Sequence, residues 1–174
     1  MFSTLRNLFD RVLTAIVITL LATLSVIVLM GVFYRKMGWP LVWYDEGASI
    51  LLAWLTYYGA ALAALKRAHI GFPGLVNAFR PALRVPVVLL AEAIVIGFFV
   101  VMAYYGYQVL IILEGDTMVS LPSVPVQLTQ SVIPIGCVLF VIAQLLSLPD
   151  VLEQARGKGI IDAEERELEE ALKK

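Results

Sequence analysis

Residues 43–73 read WYDEGASILLAWLTYYGAALAALKRAHIGFP, and their reading decides the fold. The stretch opens on Asp45 and Glu46, continues as an apolar run, and closes on Lys66, Arg67 and His69. Acids in the first turn and bases in the last suit the partial charges at the two ends of a helix. The run is also long enough to cross a hydrocarbon core of about 30 Å. Its later half is small-sided, with Gly59, Ala60, Ala61, Ala63 and Ala64, which permits close helix packing. Two of the three tryptophans, Trp43 and Trp54, and the only histidine lie within it.

The composition extends this reading to the whole chain. Of 174 residues, 60% are hydrophobic, against about 45–50% in soluble domains, and the mean hydropathy is +0.88. The excess sits in four long runs, so the expected fold class is an all-α integral membrane protein with four transmembrane helices. A formal net charge of -1 offers no stripe of bases for nucleic acid. The lone Cys137 excludes an intrachain disulfide and a thiolate metal cage, and reads as a small hydrophobe.

Outward from the central stretch, the spans are expected at roughly 12–33, 46–65, 87–113 and 127–148, which makes a transmembrane domain of residues 12–148. Residues 1–11 place Phe2, Leu5 and Phe9 at helical spacing with Arg6, Asn7 and Asp10 elsewhere around the turn. They form either a short amphipathic surface helix or the start of the first span. That first run is roughly 20 residues, longer than the ~7–15 of a signal core, and is expected to be retained. Gly38 and Pro40 turn the chain after it, among Tyr34, Trp39, Trp43 and Tyr44, an aromatic group suited to a membrane–water interface. Pro122 and Pro125 forbid one continuous helix between spans three and four, and Pro134 and Gly136 interrupt the fourth. Short connections predict an antiparallel bundle. Residues 149–174 form a charged tail, in which Asp162 with Glu165, and Glu169 and Glu170 with Lys173 and Lys174, suit a water-exposed helix; a solvated, partly disordered end is the alternative reading.

Orientation follows from the bases. With four spans, both termini and the middle loop share one side. That side carries Arg6, Arg11, Lys66, Arg67, Arg80, Arg84, Arg156, Lys158, Arg166, Lys173 and Lys174, leaving only Arg35 and Lys36 opposite. The positive-inside rule then puts both termini in the cytoplasm.

Few residues offer chemistry. His69 alone cannot supply the two axial histidines of a bundle haem, no phosphate loop or metal-ligand cluster occurs, and no spacing suggests a nucleophilic triad. No catalytic, cofactor or metal residue is assigned, and an enzyme is not expected. Glu92 is the one ionisable group well inside a span. Three readings of it are open: a carboxylate near enough to the edge to reach water or a loop base, a buried pair with another helix or subunit, or a proton site of a small self-sufficient transporter. Asp45 and Glu46 serve the helix start, a partner, or both. His69 reads as a loop or interfacial residue.

Taken in order, Trp43-Tyr44-Asp45-Glu46, Trp54, Gly59-Ala60, Ala63 and His69-Ile70 resemble the second-helix signature of the small, DctQ-like membrane subunit of tripartite ATP-independent periplasmic (TRAP) transporters. Gln127, Gln130 and Ile133-Pro134-Ile135-Gly136 resemble that family's last helix. The resemblance covers most of the chain and thins at the first span and the tail. The family often has an acid shortly after the His-Ile pair; here Gly71-Phe72-Pro73 follows, so no role of that acid is carried over.

The resemblance implies an accessory scaffold in the bacterial inner membrane. A periplasmic binding protein captures an organic acid, of the dicarboxylate or sialic-acid class. A large elevator-type carrier subunit, paired one-to-one with this chain, moves it inward with sodium. Sodium coupling then belongs to the large subunit, and this chain carries no cofactor. Lipid and these two proteins are its partners, with Trp43, Asp45, Glu46, Trp54, Gly59, Ala63 and Glu92 as interface candidates. A membrane anchor for an unrelated complex is the remaining alternative.

Overall fold

The structure, a computed structural model, describes residues 2–68 and 76–157. The described residues form four long helical spans: α1 (Phe2–Lys36), α2 (Tyr44–Lys66), α3 (Pro81–Ile112), and a fourth made of the short α4 (Val126–Gln130) and α5 (Val132–Arg156). All four are long and apolar enough to cross a membrane. The backbone of α1 is unbroken at residues 11 and 12, so the amphipathic start and the first span are one helix, about 50 Å long at 1.5 Å per residue. The third span begins at Pro81, earlier than its hydropathy suggested. Pro81 opens the helix, where its missing N–H costs nothing, and Pro86 lies inside it. The cap pair expected at Asp162 and Glu165, like His69, lies outside the described residues.

Neighbours in space differ from neighbours in sequence. α1 packs on α2, α2 on α5, and α5 on α3. The fourth span is therefore interior, with 44% of its apolar window buried against 6% for the first. Small side chains put it there. Ala143, Ser147 and Ala155 are fully buried, and a Cβ on Gly136 would lie 2.6 Å from the Tyr57 Cβ of α2. On the other side, a Cβ on Gly106 of α3 would lie 3.0 Å from Ile133. The main core gathers Leu13, Ala61, Ala64, Leu65, Phe140, Ala143 and Leu146. Phe140 also stacks on Phe99 of α3 at 3.7 Å between ring centres.

The interruption expected at Pro134 and Gly136 falls at Ser131 instead. Pro134 has no N–H for the Gln130 carbonyl and its ring crowds that group, so the helix breaks one turn upstream. Gly136 lies within regular helix, and its role is close approach to α2 rather than flexibility.

Candidate functional site

The polar groups of the bundle concentrate at its two ends. At the end carrying the N-terminus and the close of α5 (the terminal end), Glu92 of α3 is almost fully buried, 8% exposed. Arg67 Nη1 donates to its Oε1 at 2.6 Å, and Gln144 Nε2 of α5 donates to its Oε2 at 2.5 Å. A carboxylate in an apolar bundle is costly unless its oxygens are paired, and here each oxygen has its own donor.

Arg67 reaches Glu92 from an uncommon backbone conformation. It follows the last residue of α2 with φ 54° and ψ 34°, the left-handed region usually left to glycine. The Arg67 N–H donates to the Ala64 carbonyl at 3.2 Å and the Ala68 N–H to the Ala63 carbonyl at 2.9 Å, a Schellman closure of α2. A non-glycine residue there costs on the order of 1 kcal/mol. The strain coincides with the one side chain that neutralises Glu92. Among the described residues, Arg67 Nε and Nη2 are buried without hydrogen-bond partners.

Two outer ion pairs complete this end. Arg6 of α1 pairs with Asp150 of α5, and Lys66 of α2 lies 3.5 Å from Asp10 of α1. Their side chains are 30–50% exposed, so each contributes little, about 0–1 kcal/mol. With the Glu92 pairs they nevertheless form a closed polar circuit through all four spans.

The opposite, loop end is fastened differently. Residues 116–126 fold back on themselves, with the Met118 N–H on the Val124 carbonyl and the Val126 N–H on the Asp116 carbonyl, each at 3.0 Å. Glu46 holds this hairpin, accepting the Ser120 N–H at 2.8 Å and the Ser120 hydroxyl on the same oxygen, Oε2. Gln127 Nε2 donates to the Leu110 carbonyl at 2.8 Å, capping the last turn of α3. Trp54 Nε1 donates to the Thr129 carbonyl at 2.9 Å, at the α4–α5 junction. The Tyr44 ring covers Gly31 of α1, and the Arg35 guanidinium carbon sits 5.7 Å above its centre.

The structure thus sorts the residues singled out from sequence. Glu46, Trp54, Gln127 and Glu92 are engaged within the chain, each between different segments. Trp43 is half-buried, its ring near Gly47. Asp45 and Gln130 are exposed, as is Trp39 at 72%. Gly59 has open space where a Cβ would stand and Ala63 is half-buried, whereas Ala61 and Ala64 are the small residues of α2 in the core. Arg67 and Gln144 were not anticipated as site residues. The signal for Gln144 is an amide isolated in an apolar run; in sequence Arg67 reads as a base that suits the close of the second helix and that helps set orientation. Nothing in sequence marked Ser120. Among the described residues no group of three or more His, Cys, Asp or Glu comes together in a metal-binding arrangement.

Comparison with known proteins places this geometry. No curated protein matches the sequence. The family profile for tripartite ATP-independent periplasmic transporters, DctQ component, matches residues 24–154, which span α2, α3, α4 and almost all of α5. Four apolar spans tied by polar contacts at both ends, matched over most of their length, identify a multi-pass membrane subunit of a transporter: the chain belongs to the DctQ family, the small membrane components of TRAP transporters.

Proposed function

We propose that the chain is the fixed scaffold of a sodium-driven, binding-protein-dependent TRAP transporter importing organic acids of the dicarboxylate or sialic-acid class. It pairs one-to-one with the large elevator-type carrier, holds that subunit's stationary part in the membrane, and offers its loop end to the periplasmic binding protein. Both termini lie in the cytoplasm, the side that the distribution of bases favours. The carrier holds sodium, and this chain needs no cofactor.

One observation carries the reading: Glu92, among the described residues the only buried carboxylate, has both oxygens bonded to side chains of two other segments. A proton or ion carrier needs a group that can exchange partners during a cycle, whereas a stator needs groups that stay paired. The absence of paired broken helices among the described spans fits anchoring better than carriage. Asp45, Trp39 and Gln130, free of in-chain hydrogen bonds to other segments, are the groups left to meet a partner at or near the loop end, and Gly59 with Ala63 gives the carrier a small face for close packing.

The test is sodium-driven uptake in liposomes holding this chain alone, the chain with its carrier subunit, or both with the binding protein. Uptake is expected only with the complete set. Uptake by this chain alone would overturn the proposal and restore Glu92 as a transport residue. Asp45→Lys should reduce uptake by the complete set while leaving the chain in the membrane, since its carboxylate is exposed.

A further inference from the structure

At the loop end, the segment after α3 holds one apolar side chain out of the protein. Gly115, at φ 92°, turns the chain between Glu114 and Asp116, a left-handed conformation that glycine adopts without a Cβ clash. In the hairpin that follows, the Val124 N–H donates to the Leu121 carbonyl at 2.9 Å, which closes its loop. Met118 is buried at 5% exposure, whereas its neighbour Val119 is 93% exposed. Ser120, next along the chain, has both its donors on Glu46 of α2. Val119 therefore stands between two anchored residues and cannot turn inward without releasing one of them. Glu114 and Asp116 are exposed and make no ion pair among the described residues. Across this end the acids Asp45, Glu46, Glu114 and Asp116 outnumber the bases Arg35 and Lys36, and Arg35 lies over the Tyr44 ring.

We propose that this hairpin is the docking element for the periplasmic binding protein, with Val119 as its apolar contact and Glu114, Asp116 and Asp45 as the acids that steer a basic surface onto it. The assignment rests on the scaffold reading above. Composition selects this occupant. A permanent membrane subunit is held through a broad, apolar interface, while one apolar side chain among unpaired acids suits a small contact that forms and breaks at each delivery. Insertion into lipid would draw Asp116 toward the hydrocarbon with no base to pair it. A protein that captures organic anions gathers them with cationic groups about its cleft, which gives it the opposite sign. Holding the hairpin in shape beforehand lowers the ordering cost of each docking event.

The test is sodium-driven uptake in liposomes holding the chain with its carrier subunit, measured against the concentration of added binding protein. Val119→Ser should raise the half-saturating concentration about fivefold, the scale of truncating one interface contact, and leave the maximal rate unchanged. Val119→Leu should stay near the natural value. Glu114→Gln with Asp116→Asn should raise half-saturation severalfold at low salt and flatten its salt dependence. Unchanged half-saturation in the Ser and the double variants, beside saturable uptake by the natural set, would overturn the hairpin assignment alone. No uptake by the natural set would overturn the scaffold reading with it. A second readout is maleimide labelling of Val119→Cys in a Cys137→Ala background. The chain in lipid, alone or with the carrier, should label readily, and the binding protein should protect it. Protection in lipid alone, or by the carrier alone, assigns the hairpin to the bilayer or to the carrier and overturns the proposal.

Discussion

Replacing Arg67 by alanine removes the donor from Glu92 Oε1 and leaves a carboxylate that is 10% exposed at its side chain facing an apolar bundle with Gln144 as its remaining partner. Breaking a buried pair from one side costs about 3–5 kcal/mol. Relief of the left-handed backbone does not offset this, since alanine fits that conformation no better than arginine. Glu92→Gln should cost less, because the freed guanidinium sits beside the negative end of α2 and its long stem can carry it toward water. The double variant Arg67→Ala, Glu92→Gln removes both charges and should recover most of the loss, giving a coupling energy of about 2–4 kcal/mol. Melting of the purified chain in detergent reads these differences at roughly 2–4 °C per kcal/mol for a chain of this size. Arg67→Ala should therefore melt on the order of 10 °C below the natural chain, with the double variant within a few degrees of it. Strictly additive losses, or an Arg67→Ala variant as stable as the natural chain, would refute the clamp. Uptake by the complete transporter separates the two roles of Glu92: the double variant should transport if the clamp is structural.

The helix contacts and the loop-end bonds give further expectations. Gly136→Ala puts a methyl 2.6 Å from the Tyr57 Cβ, an atom fixed to the backbone, so it should destabilise by about 1–3 kcal/mol, whereas Gly59→Ala meets open space and should be neutral or slightly stabilising in melting. Glu46→Ala removes the acceptor of both Ser120 donors and should raise amide exchange across residues 116–126 without altering exchange in α1; Ser120→Ala, which keeps the backbone donor, should have the smaller effect. Trp54→Phe keeps the ring but not the Thr129 bond, and a loss of about 1 kcal/mol is expected by denaturant titration.

The spans, their number and the aromatic loop end were legible because hydrophobic length and interfacial composition are local properties of sequence. Packing order was not. That α5 lies between α2 and α3 depends on which small residues meet which large ones, as Gly136 meets Tyr57, and a run of apolar residues does not say which partner each will find. The site shows the same division. Glu92 could be recognised as costly from its position alone, but its partners lie 25 and 52 residues away along the chain. Glu46 looked like a first-turn acid from local sequence, and its second task, holding Ser120, exists only after the hairpin folds. Pro134 was read correctly as a breaker and assigned to the wrong turn, because its effect falls on the carbonyl four residues earlier.

The spatial order α1–α2–α5–α3 also bears on how the chain is made. Synthesis delivers α3 before the helix that must separate it from α2. A nascent chain holding only the first three spans has Arg67 to set against Glu92, but not Gln144, and lacks the surface on which Phe99 and Gly106 rest. The third span must therefore wait in the bilayer with its acid half satisfied. The last of the four described spans to emerge is the wedge that joins the others.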